Sequence, residues 1–156
     1  MALIAPVVRI TLAVVWFQGA SWKAPPDFAA LGNFTRFAVS EPVFAPWAFF
    51  VDSVVLPNLA VFGWSVLLVE SLLAAFLVLG LFTRLFALVG VGQTTAIALS
   101  ALNAPHEWIW SYLLMILAHL AVFAMAAGRS GGLDGVLRPI WARKDTALAR
   151  IFLRAS

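Results

Sequence analysis

Four residues with chemistry in their side chains lie where the surrounding sequence is apolar: Arg9, Glu70, Gln93 and His119. Glu70 is the sharpest of them. It sits inside PNLAVFGWSVLLVESLLAAFLVLGLF, residues 57–82, thirteen positions from Pro57 and twelve from Phe82. A carboxylate near the centre of a bilayer span costs about 2.5–3.5 kcal/mol on insertion scales, so it is expected to be paired or to have a function. His119, Gln93 and Arg9 occupy three other apolar runs at comparable depth, counted at about 1.5 Å of rise per residue. The expectation is a structural ion pair between Arg9 and Glu70, with His119 and Gln93 completing the hydrogen bonding. Two readings of such a cluster stand side by side. It fixes helix register and orientation, or it forms a proton or quinone-headgroup site, because these groups supply both hydrogen bonds and protons inside an apolar cleft.

Other chemistries are excluded by what the sequence lacks. With no cysteine there is no disulfide, thiolate redox centre, iron–sulfur cluster or cysteine zinc site. His106 and His119 are thirteen residues apart, without a supporting second ligand, so no metal is assigned. No haem-bridging histidine pair and no nucleotide-binding loop is present. No cofactor is expected to be covalently bound. A quinone is the candidate ligand, and any electron transfer needs a partner subunit that carries the redox centre. Basic residues near a bilayer report topology rather than nucleic-acid binding.

The elements that must position these residues are membrane spans. The chain has 156 residues, 63% hydrophobic and 11% charged, with mean hydropathy +1.01; soluble domains are about 25% charged. The expected architecture is an all-α, four-transmembrane-helix antiparallel bundle in residues 1–128, followed by a basic tail at 129–156. The spans are read at about 3–21, 57–82, 85–102 and 108–127. The first lacks a basic region ahead of it and is read as retained rather than as a cleaved signal. Pro57 suits the first turn of the second span, and Thr83-Arg84 is read as a tight turn into the third. Trp108, Trp110 and Tyr112 form an interfacial aromatic belt at the start of the fourth. Six of the ten Lys/Arg residues lie after position 128. With four spans, Arg84 and the tail share one side, which the positive-inside rule makes cytoplasmic together with both termini.

Two further segments are unusual. Residues 22–56 are too aromatic for a polar loop, and Phe28, Leu31, Phe34 and Phe37 recur every three residues, with Asp27 placed to cap the helix they imply. One or two short interfacial helices are expected there, either as a lid over helix ends or as the wall of an amphiphile-binding pocket. In the tail, TALARIFLRAS reads as a basic amphipathic helix. Arg84, Arg129, Arg138, Arg143, Lys144, Arg150 and Arg154 are expected to meet anionic lipid or a cytoplasmic protein.

The start RITLAVVWFQGASWK, the hairpin VESLLAAFLVLGLFTR, the span EWIWSYLLMILAHLAVF and the post-span AGRSGGLDGVLR together resemble the DoxX/DoxD-like membrane proteins, over most of residues 7–138. That family includes the small subunit of thiosulfate:quinone oxidoreductase. The resemblance implies a four-helix bundle in a prokaryotic cytoplasmic membrane, working beside redox enzymes with a quinone acceptor. The expected function is therefore an integral membrane subunit of a quinone-linked oxidoreductase, not catalytic alone. The alternative is a non-catalytic anchor or assembly subunit of a respiratory or other membrane complex.

Overall fold

The structure, a computed structural model, describes residues 3–156, and among them every regular element is helical. Helix α1 is Ile4–Ser21. Three short helices follow: α2 (Ala29–Thr35), α3 (Phe37–Ser40) and α4 (Ala45–Phe50). Helix α5 (Leu59–Leu79) and α6 (Thr83–Ala101) form a tight hairpin, and α7 is Ile109–Met125. The tail folds as α8 (Leu133–Ala142) and α9 (Ala147–Ala155). Three helical stretches, Ile4–Ser21, Ala45–Leu79 and Thr83–Ala101, are long and apolar enough to cross a membrane, which marks a helical membrane protein. Helix α7, at 17 residues, is apolar but shorter.

The second of these stretches corrects an expectation. Its helix does not begin at Pro57 but at Ala45, and it runs 35 residues to Leu79. Pro57 lies inside it. Proline has no N–H to donate and its ring crowds the carbonyl one turn back. The helix absorbs this by widening to a π turn at Val51–Val55 and then tightening to a 3₁₀ turn at Leu56–Asn58. At about 1.5 Å per residue, 35 residues exceed a hydrocarbon core of about 30 Å, so α4 and the π turn extend the helix beyond its apolar centre. The turn between α5 and α6 is also placed differently: residues 80–82 make it, with Gly80 left-handed at φ +63°, while Thr83 and Arg84 already belong to α6.

Helix α1 packs along α5, α6 packs along α7, and α1 also touches α7. Between them lie Leu12, Trp16, Leu73, Leu77 and Val122, all buried. The outward sides stay apolar, as at Val14, Phe17, Leu68, Leu88 and Leu117. Helices that are apolar all round need an apolar solvent, which a bilayer provides.

The tail is built into the fold. Asp134, fully buried at the start of α8, accepts hydrogen bonds from Phe82 N (2.8 Å), Thr83 N (2.9 Å) and Thr83 Oγ1 (2.7 Å). It thereby caps α6 from fifty residues away, where free N–H groups and the helix dipole favour a carboxylate. Asp134 N donates back to Gly80 O at 2.9 Å. The ring of Phe82 stacks on Trp141 (5.6 Å) and meets Phe152 (5.0 Å), which seats both tail helices on the hairpin turn. Two of the motifs quoted above, GLFTR and AGRSGGLDGVLR, are thus the halves of one interlock.

Candidate functional site

Glu70 is fully buried in α5, and its partner is Lys23, not Arg9. Lys23 Nζ donates to Glu70 Oε2 at 2.7 Å and to Gly19 O, in the last turn of α1, at 2.5 Å. That carbonyl end is the negative pole of the helix and favours a cation. Lys23 is itself only 6% exposed, and its ammonium lies 4.4 Å from the centre of the Trp22 ring. On the other carboxylate oxygen, Gln93 Nε2 of α6 donates to Oε1 across a long 3.4 Å.

The expected Arg9–Glu70 pair fails on register. Because α1 and α5 are antiparallel, position 19 faces Glu70, while Arg9 faces the far end of α5, donating to Val78 O at 3.3 Å. Ten residues of helix separate the two levels by about 15 Å, beyond the reach of an arginine side chain. Arg9 instead ties the tail down, donating to Gly131 O at 3.1 Å.

His119 belongs to a third, separate group. Its Nε2 accepts from Trp16 Nε1 at 2.9 Å, and its Nδ1 donates to Met115 O at 2.7 Å. With one ring nitrogen accepting and the other donating, the imidazole is satisfied as a neutral tautomer. A side chain at position 90 would collide with this ring, so Gly90 is what lets α6 approach α7 here. The single polar cluster expected from depth counting is therefore divided: Glu70 and Gln93 stay together, whereas His119 and Arg9 each bond elsewhere.

What the Glu70 group faces is a cavity of about 460 Å³. Its walls come from the ends of α1 and α5, from α6, and from the aromatic segment folded above them. Trp16, Phe34, Trp47, Phe50 and Phe62 supply much of the apolar lining, and Lys23, Glu70 and Gln93 supply the charged and amide groups. The aromatic segment is latched to α6: Trp47 Nε1 donates to Ser100 Oγ at 3.0 Å, and Asn103 Nδ2 to Pro42 O at 3.1 Å. Phe28 is fully buried edge-on against Trp64 of α5 and is the N-cap residue of α2, while Asp27 Oδ1, one residue ahead of it, accepts from Ala29 N at 3.2 Å in a local turn. Residues 22–56 thus wall a pocket whose lining is apolar apart from a few polar groups. The chemistry of this lining matches an amphiphile, with a head that both donates and accepts hydrogen bonds on an apolar body.

Lys23 is the site residue that sequence reasoning missed. It lies two residues beyond the first span as read from the sequence, 3–21, where hydropathy alone makes it a loop charge. What the sequence does offer is its place: Lys23 follows Gly19 by four residues, one helical turn, so its ammonium stays within reach of the last turn of α1. Among the expected surface cations, Arg84, Arg129 and Arg138 are engaged within the protein. Arg84 lies 4.3 Å from the centre of the Phe123 ring. Arg129 donates to Ser156 O at 3.1 Å, and Arg138 to Leu153 O at 2.6 Å and Ser156 Oγ at 2.7 Å. Partial burial, then the neighbouring Arg138 and Arg84 charges, lower the pKa of Arg129, opposed by Asp134.

No family model matches the chain, and no curated protein or solved structure does.

Proposed function

We propose that this protein is an integral membrane subunit of a quinone-linked oxidoreductase, of the DoxX/DoxD-like kind it resembles in sequence, with a partner subunit carrying the redox centre. One observation carries the reading: a 460 Å³ apolar, aromatic-walled cavity with Glu70, Lys23 and Gln93 among its lining residues. Glu70 Oε1, held only by the long Gln93 contact, is the acceptor for a head hydroxyl. The Gln93 amide and the remaining Lys23 N–H are donors for a head carbonyl. A bound quinone would supply two-electron, two-proton carrier chemistry. The chain's own part is to bind the head, keep water out with the aromatic wall, and exchange protons at the Glu70 carboxylate. In this reading α1, α5, α6 and α7 all cross a prokaryotic cytoplasmic membrane as an antiparallel bundle, with both termini on the cytoplasmic side. The excess of Lys/Arg in the tail supports that orientation.

The test is purification with native lipids, followed by extraction and identification of quinone. Wild type is expected to retain it, and Glu70→Gln and Lys23→Met to lose it. Wild type without quinone, in membranes whose quinone reduction is indifferent to both variants, ends the proposal. The alternative, a non-catalytic anchor or assembly subunit, is favoured by a different observation: Lys23 already neutralises Glu70, so the group is adequate as helix packing alone. If the variants leave quinone content unchanged but lower the yield of the assembled complex, the anchor reading wins.

A further inference from the structure

The two tail helices each carry an unpartnered apolar stripe. On α8 these are Leu133, Val136 and Ile140, and on α9 Leu148 and Ile151, all exposed. Their spacings of three and four residues put each stripe on one helical face. The adjoining faces are occupied, by Asp134 and Trp141 on α8 and by Ala149 and Phe152 on α9. Four exposed cations of this hairpin make no hydrogen bond to the body of the protein among the described residues: Arg143, Lys144, Arg150 and Arg154. Their one acidic neighbour, Asp145, is fully exposed and meets Arg150 only at 4.0 Å.

Depth decides what covers these stripes. Arg9 holds Gly131, just before α8, and Asp134 N holds Gly80 at the end of α5. The start of α8 is therefore level with Arg9, and Arg9 lies about 7–8 Å inside the first residue of α1 at helical rise. Residues of α1 nearer its start, Ile4 and Val7, still present apolar side chains outward. Helix α8 thus starts beside a span whose outward side chains are still apolar and exposed. An amphipathic helix lying in a bilayer surface buries its apolar face about 5–10 Å into the headgroup boundary.

We propose that the α8–α9 hairpin is an interfacial membrane element that sinks Leu133, Val136, Ile140, Leu148 and Ile151 into the leaflet, while Arg143, Lys144, Arg150 and Arg154 bind anionic headgroups. The occupant of this surface is an anionic bilayer rather than a protein. The inference needs the bundle to span a membrane, and it is independent of any quinone in the cavity.

Because the chain has no cysteine, single replacements can be labelled cleanly in the full-length protein. An environment-sensitive fluorophore is placed on Val136→Cys or Ile151→Cys, with Leu117→Cys on the exposed side of α7 as the hydrocarbon reference. Each is reconstituted into phosphatidylglycerol-rich vesicles and into phosphatidylcholine alone, with brominated acyl chains as quencher. In the anionic vesicles, emission at 136 and 151 is expected to shift to the blue, with quenching approaching that at 117. Quenching should fall severalfold in phosphatidylcholine, and again when Arg143, Lys144, Arg150 and Arg154 are all replaced by Gln. Among the described residues those four side chains make no hydrogen bond to the rest of the protein, so an unchanged melting temperature is the folding control. Probes at 136 and 151 that stay aqueous and unquenched in anionic vesicles overturn the proposal and leave the stripes to a protein partner. Equal quenching in both lipids, insensitive to the fourfold change, overturns its electrostatic half.

Discussion

At the scale of single residues, the burial of Glu70 is made tolerable by one ammonium group that also closes the end of α1. Removing either partner strands the other charge, which costs about 3–5 kcal/mol, whereas replacing both by apolar residues is often neutral. Lys23→Met and Glu70→Leu are therefore each expected to lower the melting temperature in detergent strongly, and the double replacement to do so less than their sum. Additive losses would falsify the pair. Arg9→Leu is expected to be additive with Glu70→Leu, since the two sites lie at different levels of the bundle. His119 makes a separate prediction. Gly90→Ala pushes a methyl group into its ring, and overpacking of this kind costs about 1–3 kcal/mol. The loss should show as melting at lower temperature, with altered Trp16 fluorescence as the bond to His119 Nε2 is disturbed.

At the scale of elements, the Asp134 cap makes α8 and the α5–α6 turn one unit. Loss of a helix cap costs about 0.5–2 kcal/mol, and here two backbone N–H groups and a threonine hydroxyl lose their acceptor together. Asp134→Ala is expected to sit at or above the top of that range. Amide exchange should accelerate in residues 80–86 and 131–138 while the α1–α5 interface stays protected. Uniform acceleration throughout would mean that the tail is not a separately anchored unit. The π turn before Pro57 shows the same logic in the long helix. The backbone defect falls where the helix leaves its apolar centre, between α5 and the turn of α4 from which Trp47 donates to Ser100.

At the scale of the whole molecule, the proposed four-span arrangement places residue 106 and residue 145 on opposite faces of the membrane. His106→Cys and Asp145→Cys are expected to react with an impermeant maleimide from opposite sides in intact cells and inverted vesicles. Labelling of both from one side would mean that α7, the shortest of the four apolar helices, does not cross. A crossing of 17 residues is at the lower limit for a hydrocarbon core of about 30 Å, so α7 should favour a thin or locally compressed bilayer.

Composition alone determined that this chain is helical and made for an apolar solvent. An unbroken apolar run can satisfy its backbone in hydrocarbon only as a helix or within a barrel. The same reading placed α1, α6 and α7 to within a few residues, singled out Glu70 and Gln93, and marked the aromatic segment as something other than a loop. It did not determine which polar groups meet. Depth counted along separate helices assumes that each begins at the same membrane surface, and the helical stretch that ends in α5 begins twelve residues before its proline. The register between α1 and α5 instead sets Glu70 level with position 19 and Lys23, and Arg9 level with Val78. It also leaves His119 with Trp16 and frees Arg9 to hold the tail. Pairing depends on the register between helices, and register is set by side chains packing across an interface. Hydropathy cannot encode it, because nearly every residue of these helices is apolar on all sides.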